Sequence, residues 1–313
     1  MLNRGISLSL ILAATVTLRA DVTVRQSMDI KINMPMPGAQ PPQMPFKEIL
    51  MRIKGDHGYA DMGIMTVISD GLAHQVTLVD PKTKRYATSS MEDYIAKTSQ
   101  AAAMPDMPEE ARQMLAKTTF DVKSIETGRS DRIQGIAVSE REVTMNINIP
   151  VPAPGMESGL QIVGKIHVWK PQPAEFDRLP ALREVAAFYE RNKAFSPAES
   201  MRKMFSSMPG MGASADKMVA ELTKGGNTIV RMHMEMFMPG LAKMMEQARA
   251  GGANVPDAPP ADRPLVEMTT EMKELSTDAV ADSVFQIPAG YQQAPMEDLL
   301  KAMMAAFTAG ARQ

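Results

Sequence analysis

The stretch Val22-Thr23-Val24-Arg25-Gln26-Ser27-Met28-Asp29-Ile30-Lys31-Ile32-Asn33-Met34-Pro35-Met36 alternates with a period of two. Its even positions read Val, Val, Gln, Met, Ile, Ile, Met, Met, and its odd positions carry Thr23, Arg25, Ser27, Asp29, Lys31 and Asn33. Successive side chains of a strand point to opposite faces, so this pattern predicts a long strand with one apolar and one wet face. Pro35, Pro37, Pro41, Pro42 and Pro45 then end it in a loop, because proline cannot donate to a ladder.

The same period continues along the chain. Ile49, Met51 and Ile53 begin a second strand and residues 59–68 read as a third. Asp70-Gly71 is a hairpin signal into residues 72–79, and Asp80-Pro81-Lys82-Thr83 turns the chain into residues 85–89. Residues 120–128 and 133–149 are strand-like, the latter with Val143, Met145, Ile147 and Ile149 on one side and Thr144, Asn146 and Asn148 on the other. Residues 160–169 and 227–238 read as strands, and residues 266–275 and 283–288 finish the series. Between them lies a helical insert near residues 175–225, with Leu182, Val185, Ala186 and Tyr189 at helical spacing and Gly225-Gly226 as its stop. Four prolines mark residues 250–264 as a loop. A final amphipathic helix carries Met296, Leu299, Leu300, Met303, Met304 and Phe307 on one stripe. The whole predicts an α+β fold in a single domain over residues 21–313, one large antiparallel sheet with helices on one face.

Composition narrows the function. Of 313 residues 44% are hydrophobic and 22% charged, which excludes fibrous, wholly disordered and polytopic membrane proteins. Lys+Arg 34 against Asp+Glu 36 leaves no basic field for nucleic acid. Met1-Leu2-Asn3-Arg4 is a positive start, residues 5–18 are uncharged and largely apolar, and Leu18-Arg19-Ala20 precedes Asp21. That is the pattern of a secretory signal peptide over residues 1–20, placing the mature chain in the periplasm or outside the cell. The apolar run is shorter than the roughly 20 residues of a membrane span, so a transmembrane protein is not expected. With Cys 0 there is no disulfide, no thiolate site and no lipid-bearing cysteine.

Catalytic signatures are missing from the sequence: no Gly-x-Ser-x-Gly elbow, no His-Glu-x-x-His, no phosphate-binding Gly-Lys-Ser/Thr loop. His57, His74, His167 and His233 are scattered without metal spacing, and Glu109-Glu110 and Glu140/Glu142 read as solvated faces. No enzyme, cofactor or metal site follows from this pattern.

Methionine is the unusual residue. There are 30, eleven of them between Met201 and Met245, and in Met232-His233-Met234-Glu235-Met236-Phe237-Met238 a strand would align four on one face. Met is flexible and polarizable. Three explanations stand together: a Met-filled core in a structural envelope protein, a pliable cavity for a lipid or acyl chain, and a soft-metal site for Cu(I). On the second, the ligand-binding residues are Met145, Ile147, Met232, Met234, Met236 and Met238, with the last helix supplying Met303 and Phe307 as a lid.

Residues 51–55 and 68–71 followed by Val79-Asp80-Pro81-Lys82-Thr83-Lys84-Arg85-Tyr86 resemble the opening meander of the secreted domain-of-unknown-function family 4412. Glu126-Thr127-Gly128 with Ile133-Gln134-Gly135-Ile136 is similar to that family's turn between two strands, and Phe285-Gln286-Ile287-Pro288-Ala289-Gly290-Tyr291 to its terminal strand. The resemblance implies a fold like the periplasmic lipoprotein carriers (LolA-like): a curved, incomplete antiparallel barrel whose apolar concavity is covered by helices. Such carriers hold acyl chains and are not enzymes. The helical insert and the Pro/Met loops depart from that simple pattern.

Overall fold

A computed structural model of the chain describes residues 20–33, 46–102, 113, 116–150, 159–193, 196, 198, 199, 202, 212–252, 255 and 259–310. The signal segment and Glu109-Glu110 lie outside the described residues.

The strands are β1 (Val22–Ile32), β2 (Glu48–Lys54), β3 (His57–Asp61), β4 (Thr66–Asp70), β5 (Gln75–Asp80), β6 (Arg85–Ser90), β7 (Thr119–Ile133), β8 (Ile136–Ile149), β9 (Leu160–Pro171), β10 (Arg231–Phe237), β11 (Val266–Ser276) and β12 (Gln292–Gln293). They form one open sheet in the order β12-β6-β5-β4-β3-β2-β1-β11-β10-β9-β8-β7. Every neighbouring pair is antiparallel except β12, which lies parallel to β6. The helices are α1 (Met91–Ala102), α2 (Pro173–Arg178), α3 (Pro180–Arg191), α4 (Gly212–Thr223), α5 (Leu241–Ala250) and α6 (Met296–Gly310). The α+β sheet predicted from the alternation is the fold observed.

Local chemistry explains where the elements differ from expectation. Residues 59–68 are two strands, because Asp61 accepts a hydrogen bond from the Gly63 amide at 2.7 Å and Gly63 turns the chain at φ 77. The Asp70 carboxylate accepts from the amides of Leu72 and Ala73, both at 3.0 Å, so β5 starts only at Gln75. Gln134 and Gly135, at φ 50 and 76, make the two-residue β7–β8 hairpin, while Gly128 sits at a register shift within β7. Residues 283–288 are not a strand: Asp282–Phe285 is a 3₁₀ turn, and only β12 joins the sheet. Helices α1 and α5 are additional to the elements expected from the sequence.

Strand register shows how the faces are used. Val24 pairs with Met51, Met51 with Ala60, Ala60 with Val67, Val67 with Leu78 and Leu78 with Ala87. Side chains directly opposite share a face, so this row crosses six strands on the apolar face of β1. Three clusters lie along that face. Leu182, Val185, Phe188 and Tyr189 of α3 pack on Val22, Val24 and Ile53. Met218 and Leu222 of α4 pack on Val143, Met145 and Ile166. Met296, Leu299 and Leu300 of α6 pack on Met65, Leu78 and Ala87. After β11 the chain crosses the opposite face, where Lys54 donates to the Val280 carbonyl at 2.9 Å and the Phe285 ring lies 5.7 Å from that of His57.

The seat of α3 leaves no room beneath Phe188. A Cβ on Gly58 would stand 2.6 Å from Phe188 Cζ and 2.5 Å from Ser69 Oγ. Gly58→Ala is therefore expected to destabilise the protein by about 1–3 kcal/mol, the usual cost of overpacking a core contact. Urea unfolding should register it as a lower midpoint with an unchanged slope.

Candidate functional site

The apolar face continues from β1 into the second half of the sheet. Ile30 pairs with Met268, Met268 with Met234, Met234 with Ile166 and Ile166 with Val143. A second row runs Ile32, Val266, Met236, Gly164, Met145, Val122. A third runs Met28, Thr270, Met232, Val168, Arg141. At Gly164 the missing side chain is replaced by a neighbour, since an added Cβ would stand 3.1 Å from Met145 Cε.

Helix α4 covers only part of this surface. It is tied to β7 by a hydrogen bond from Ser124 Oγ to the Glu221 carboxylate and by Lys217 Nζ, 3.8 Å from Asp121. Beneath it Val143, Met145, Ile147, Ile166 and Val168 are buried, with Met232 and Met234 packed at the margin. Met28, Ile30, Ile32, Met236, Val266 and Met268 are half-buried and belong to none of the three packed clusters. The surface over β10, β11 and β1 is thus an apolar shelf bordered by α4, as far as the described residues define it.

Of the residues singled out from the sequence, Met145, Ile147, Met232 and Met234 share one cluster, and Met236 adjoins them in register. Met238 is half-buried just past β10, where its carbonyl accepts from the Leu241 amide at 3.0 Å. The lid assignment is corrected. Met303 packs with Met65, Leu78 and Ala87 over β5 and β6, in another cluster. The Phe307 side chain lies outside what is described. The reason is topological: the crossing after β11 delivers α6 to the β6 edge, and Lys97 of α1 pairs with Glu297 there at 2.7 Å.

The opposite face holds an ionic cluster that alternation alone misjudged. Glu140 is 4% exposed and not solvated. Its carboxylate meets the Arg129 guanidinium, accepts from Thr127 Oγ1 at 2.6 Å and lies 3.1 Å from His167 Nδ1. His167 and His233, 66 positions apart in sequence, are cross-strand neighbours with ring centroids 6.2 Å apart. His233 Nδ1 is 2.9 Å from Thr269 Oγ1. Among the described residues no three His, Asp or Glu side chains converge to hold a metal ion. The signal for Glu140 was its parity with Ile136 and Val138, which are also buried at the start of β8. Two clefts lie on this face, one of about 340 Å³ beside Arg25, Arg52 and Glu274, and one of about 450 Å³ beside His57, Asp70 and Asp282. Their charged walls are largely paired internally, Arg25 with Glu48 and Glu274, and Asp282 with Lys54.

Two buried cations border the apolar shelf. Arg141, 8% exposed, donates to Ser124 Oγ at 3.2 Å and pairs with the Glu126 carboxylate. Lys170, 7% exposed, donates to the carbonyls of Lys224 and Gly226 at 2.9 and 2.6 Å, fastening the end of α4. Burial, with the Arg141 charge nearby, pushes the Lys170 ammonium down to about 8.

No family model matches this chain, and no curated protein matches it in sequence. No helix among the described residues is long and apolar enough to cross a membrane.

The Lys170 shift has a measurable sign. The folded protein releases this proton near pH 8, whereas the unfolded chain holds it to about pH 10.5. Between those limits the unfolded state binds more protons, so stability rises with pH. The stability of the wild type relative to Lys170→Met is expected to increase by up to about 3 kcal/mol from pH 8 to 10.5. Paired denaturant titrations at the two pH values check it.

Proposed function

We propose that this chain is an exported, non-enzymatic binding protein whose Met-rich sheet face takes an apolar ligand, a lipid or acyl chain. The observation that carries this reading is that Met28, Ile30, Ile32, Met236, Val266 and Met268 are half-buried and, among the described residues, lie outside the three packed clusters. A continuous, partly exposed apolar surface marks a place for an apolar ligand to bind. From β1 to β8 the Ile30–Val143 row spans four strand spacings of about 4.8 Å, or about 19 Å, enough to lay out an extended chain. Each methylene buried there contributes about 0.8 kcal/mol, so a chain of roughly ten supports useful affinity after ordering costs. Methionine suits a site that accepts several chains, because its unbranched side chain repacks readily. The resemblance to the lipoprotein carriers, and the signal-peptide pattern of residues 1–20, agree with an exported carrier.

One observation favours a second reading. Met234 and Met268 are direct cross-strand partners with Met232 and Met236 alongside, which gathers thioethers of the kind that hold Cu(I). His233 faces the other way by alternation and cannot join them. Titration with Cu(I) against a competing chelator separates the two: stoichiometric capture supports metal, and its absence leaves the apolar ligand.

For the apolar reading, palmitate should displace a fluorescent apolar probe from the full chain at micromolar concentration. Met234→Asp is expected to weaken probe binding about tenfold or more, equivalent to 1.4 kcal/mol. Met234→Leu keeps the volume and should cost less than about 1.5 kcal/mol of stability with binding retained. No displacement from a folded wild type would make this surface part of the packing of a structural protein.

A further inference from the structure

The apolar shelf has a polar end, and its chemistry specifies the ligand further. Arg141 terminates the row Met28–Thr270–Met232–Val168–Arg141, and Lys170 follows Val168 two residues along β9 on the same face. Both cations are buried at the margin of the hydrophobic cluster under α4. Among the described residues neither has a buried carboxylate as a bonded partner. Glu126, which pairs with Arg141, has a side chain 77% exposed. Glu221, half-buried, accepts from Ser124 Oγ and feels the Arg141 charge without bonding to it directly. Lys170 is held by two neutral carbonyls. Glu140, the buried carboxylate of the same strand, faces the other side and is occupied by Arg129, Thr127 and His167. Lys170, buried on two neutral carbonyls and adjacent to the Arg141 charge, makes a site where an entering anion gains more than it would in solvent.

We infer that the ligand of the apolar face is a single-chain amphiphile with a carboxylate head, a long-chain fatty acid, its chain along the Met234–Met268 shelf and its head between Arg141 and Lys170. This assignment rests on the apolar-ligand reading and sharpens it. Charge-assisted hydrogen bonds from a guanidinium and an ammonium fix the head, while the methionines adapt to the length of the tail. Entry of the head would exchange the Lys170 bonds to the Lys224 and Gly226 carbonyls for bonds to the carboxylate, so α4 loosens at its glycine end as the ligand seats.

The test compares palmitate with hexadecanol, chains of equal length with and without the charge, by displacement of the same probe from the full chain at neutral pH. Wild-type protein should prefer palmitate by about tenfold or more. Lys170→Met should reduce that preference to near unity, and Lys170→Arg should keep it. Circular dichroism confirms that each variant is folded, and the wild-type ratio needs no variant at all. Equal binding of the two ligands, or a preference untouched by Lys170→Met, overturns the head-group assignment and leaves the apolar face standing. Failure of both ligands to bind the folded wild type overturns the apolar reading itself.

Discussion

The β1–β11 ladder is the interaction on which the rest of this structure depends. It runs from Thr23 opposite Ser276 to Ile32 opposite Val266 and joins the first strand to the last long one. Without it there would be two separate meanders, β1 to β6 and β7 to β11, each with an apolar face too narrow for its helices. With it, the two faces merge in register, so that Ile30 meets Met268 and the rows continue across both halves. Such a pairing closes a loop of most of the chain, an entropic cost that grows only slowly with length but must be met before the contacts form. A bulge between Arg25 and Gln26 lets Val24 and Met272 both reach the same cluster.

A merged face of this breadth needs several covers, and the order of the chain decides which helix goes where. Helices α2 and α3 follow β9 directly and fold back on β1 and β2, where Arg191 meets Asp56 at 2.7 Å. Helix α4 follows them and returns to β10 through Gly225 and Gly226, which keeps it over β7 to β9. The last helix has already been carried across the polar face to the β6 edge. Each cover is local to its connections, and among the described residues Ile30 and Ile32 of β1, Met236 of β10 and Val266 and Met268 of β11 fall in none of the three packed clusters.

Much of this was legible in the sequence, for a physical reason: a two-sided sheet writes its faces into the chain at period two. Residues 22–32, 143–149 and 232–236 were read with the right faces inward. What period cannot tell is which rows become neighbours. Met234 and Met268 are partners only because β11 enters between β1 and β10, and His167 meets His233 only because β9 and β10 are adjacent after a long helical excursion. For the same reason the stripe Met296/Leu299/Leu300 could be recognised as a covering face but not assigned to the strands it covers. Glu140 failed differently. In β8 the buried parity changes between Glu140 and Arg141, both below a tenth exposed, as the hairpin tip turns its even residues to α3 while the rest presents odd residues to α4. A change of parity inside one uninterrupted strand is marked in the sequence only by Ile136 and Val138 at the even positions ahead of Glu140.

That parity change also bears on why methionine is abundant here. Met65, Met218 and Met272 are almost fully buried in the clusters, whereas Met28, Met234, Met236 and Met268 stand half-buried on the shelf. Core positions accept methionine because it fills irregular gaps in a chain with 5% aromatic residues. On the apolar-ligand reading proposed above, methionine at these half-buried positions gains from the opposite property, the ability of an unbranched side chain to repack. Among the described residues the same residue type is thus packed where a helix closes over it and half-buried on the shelf, and it is burial rather than composition that separates the two settings.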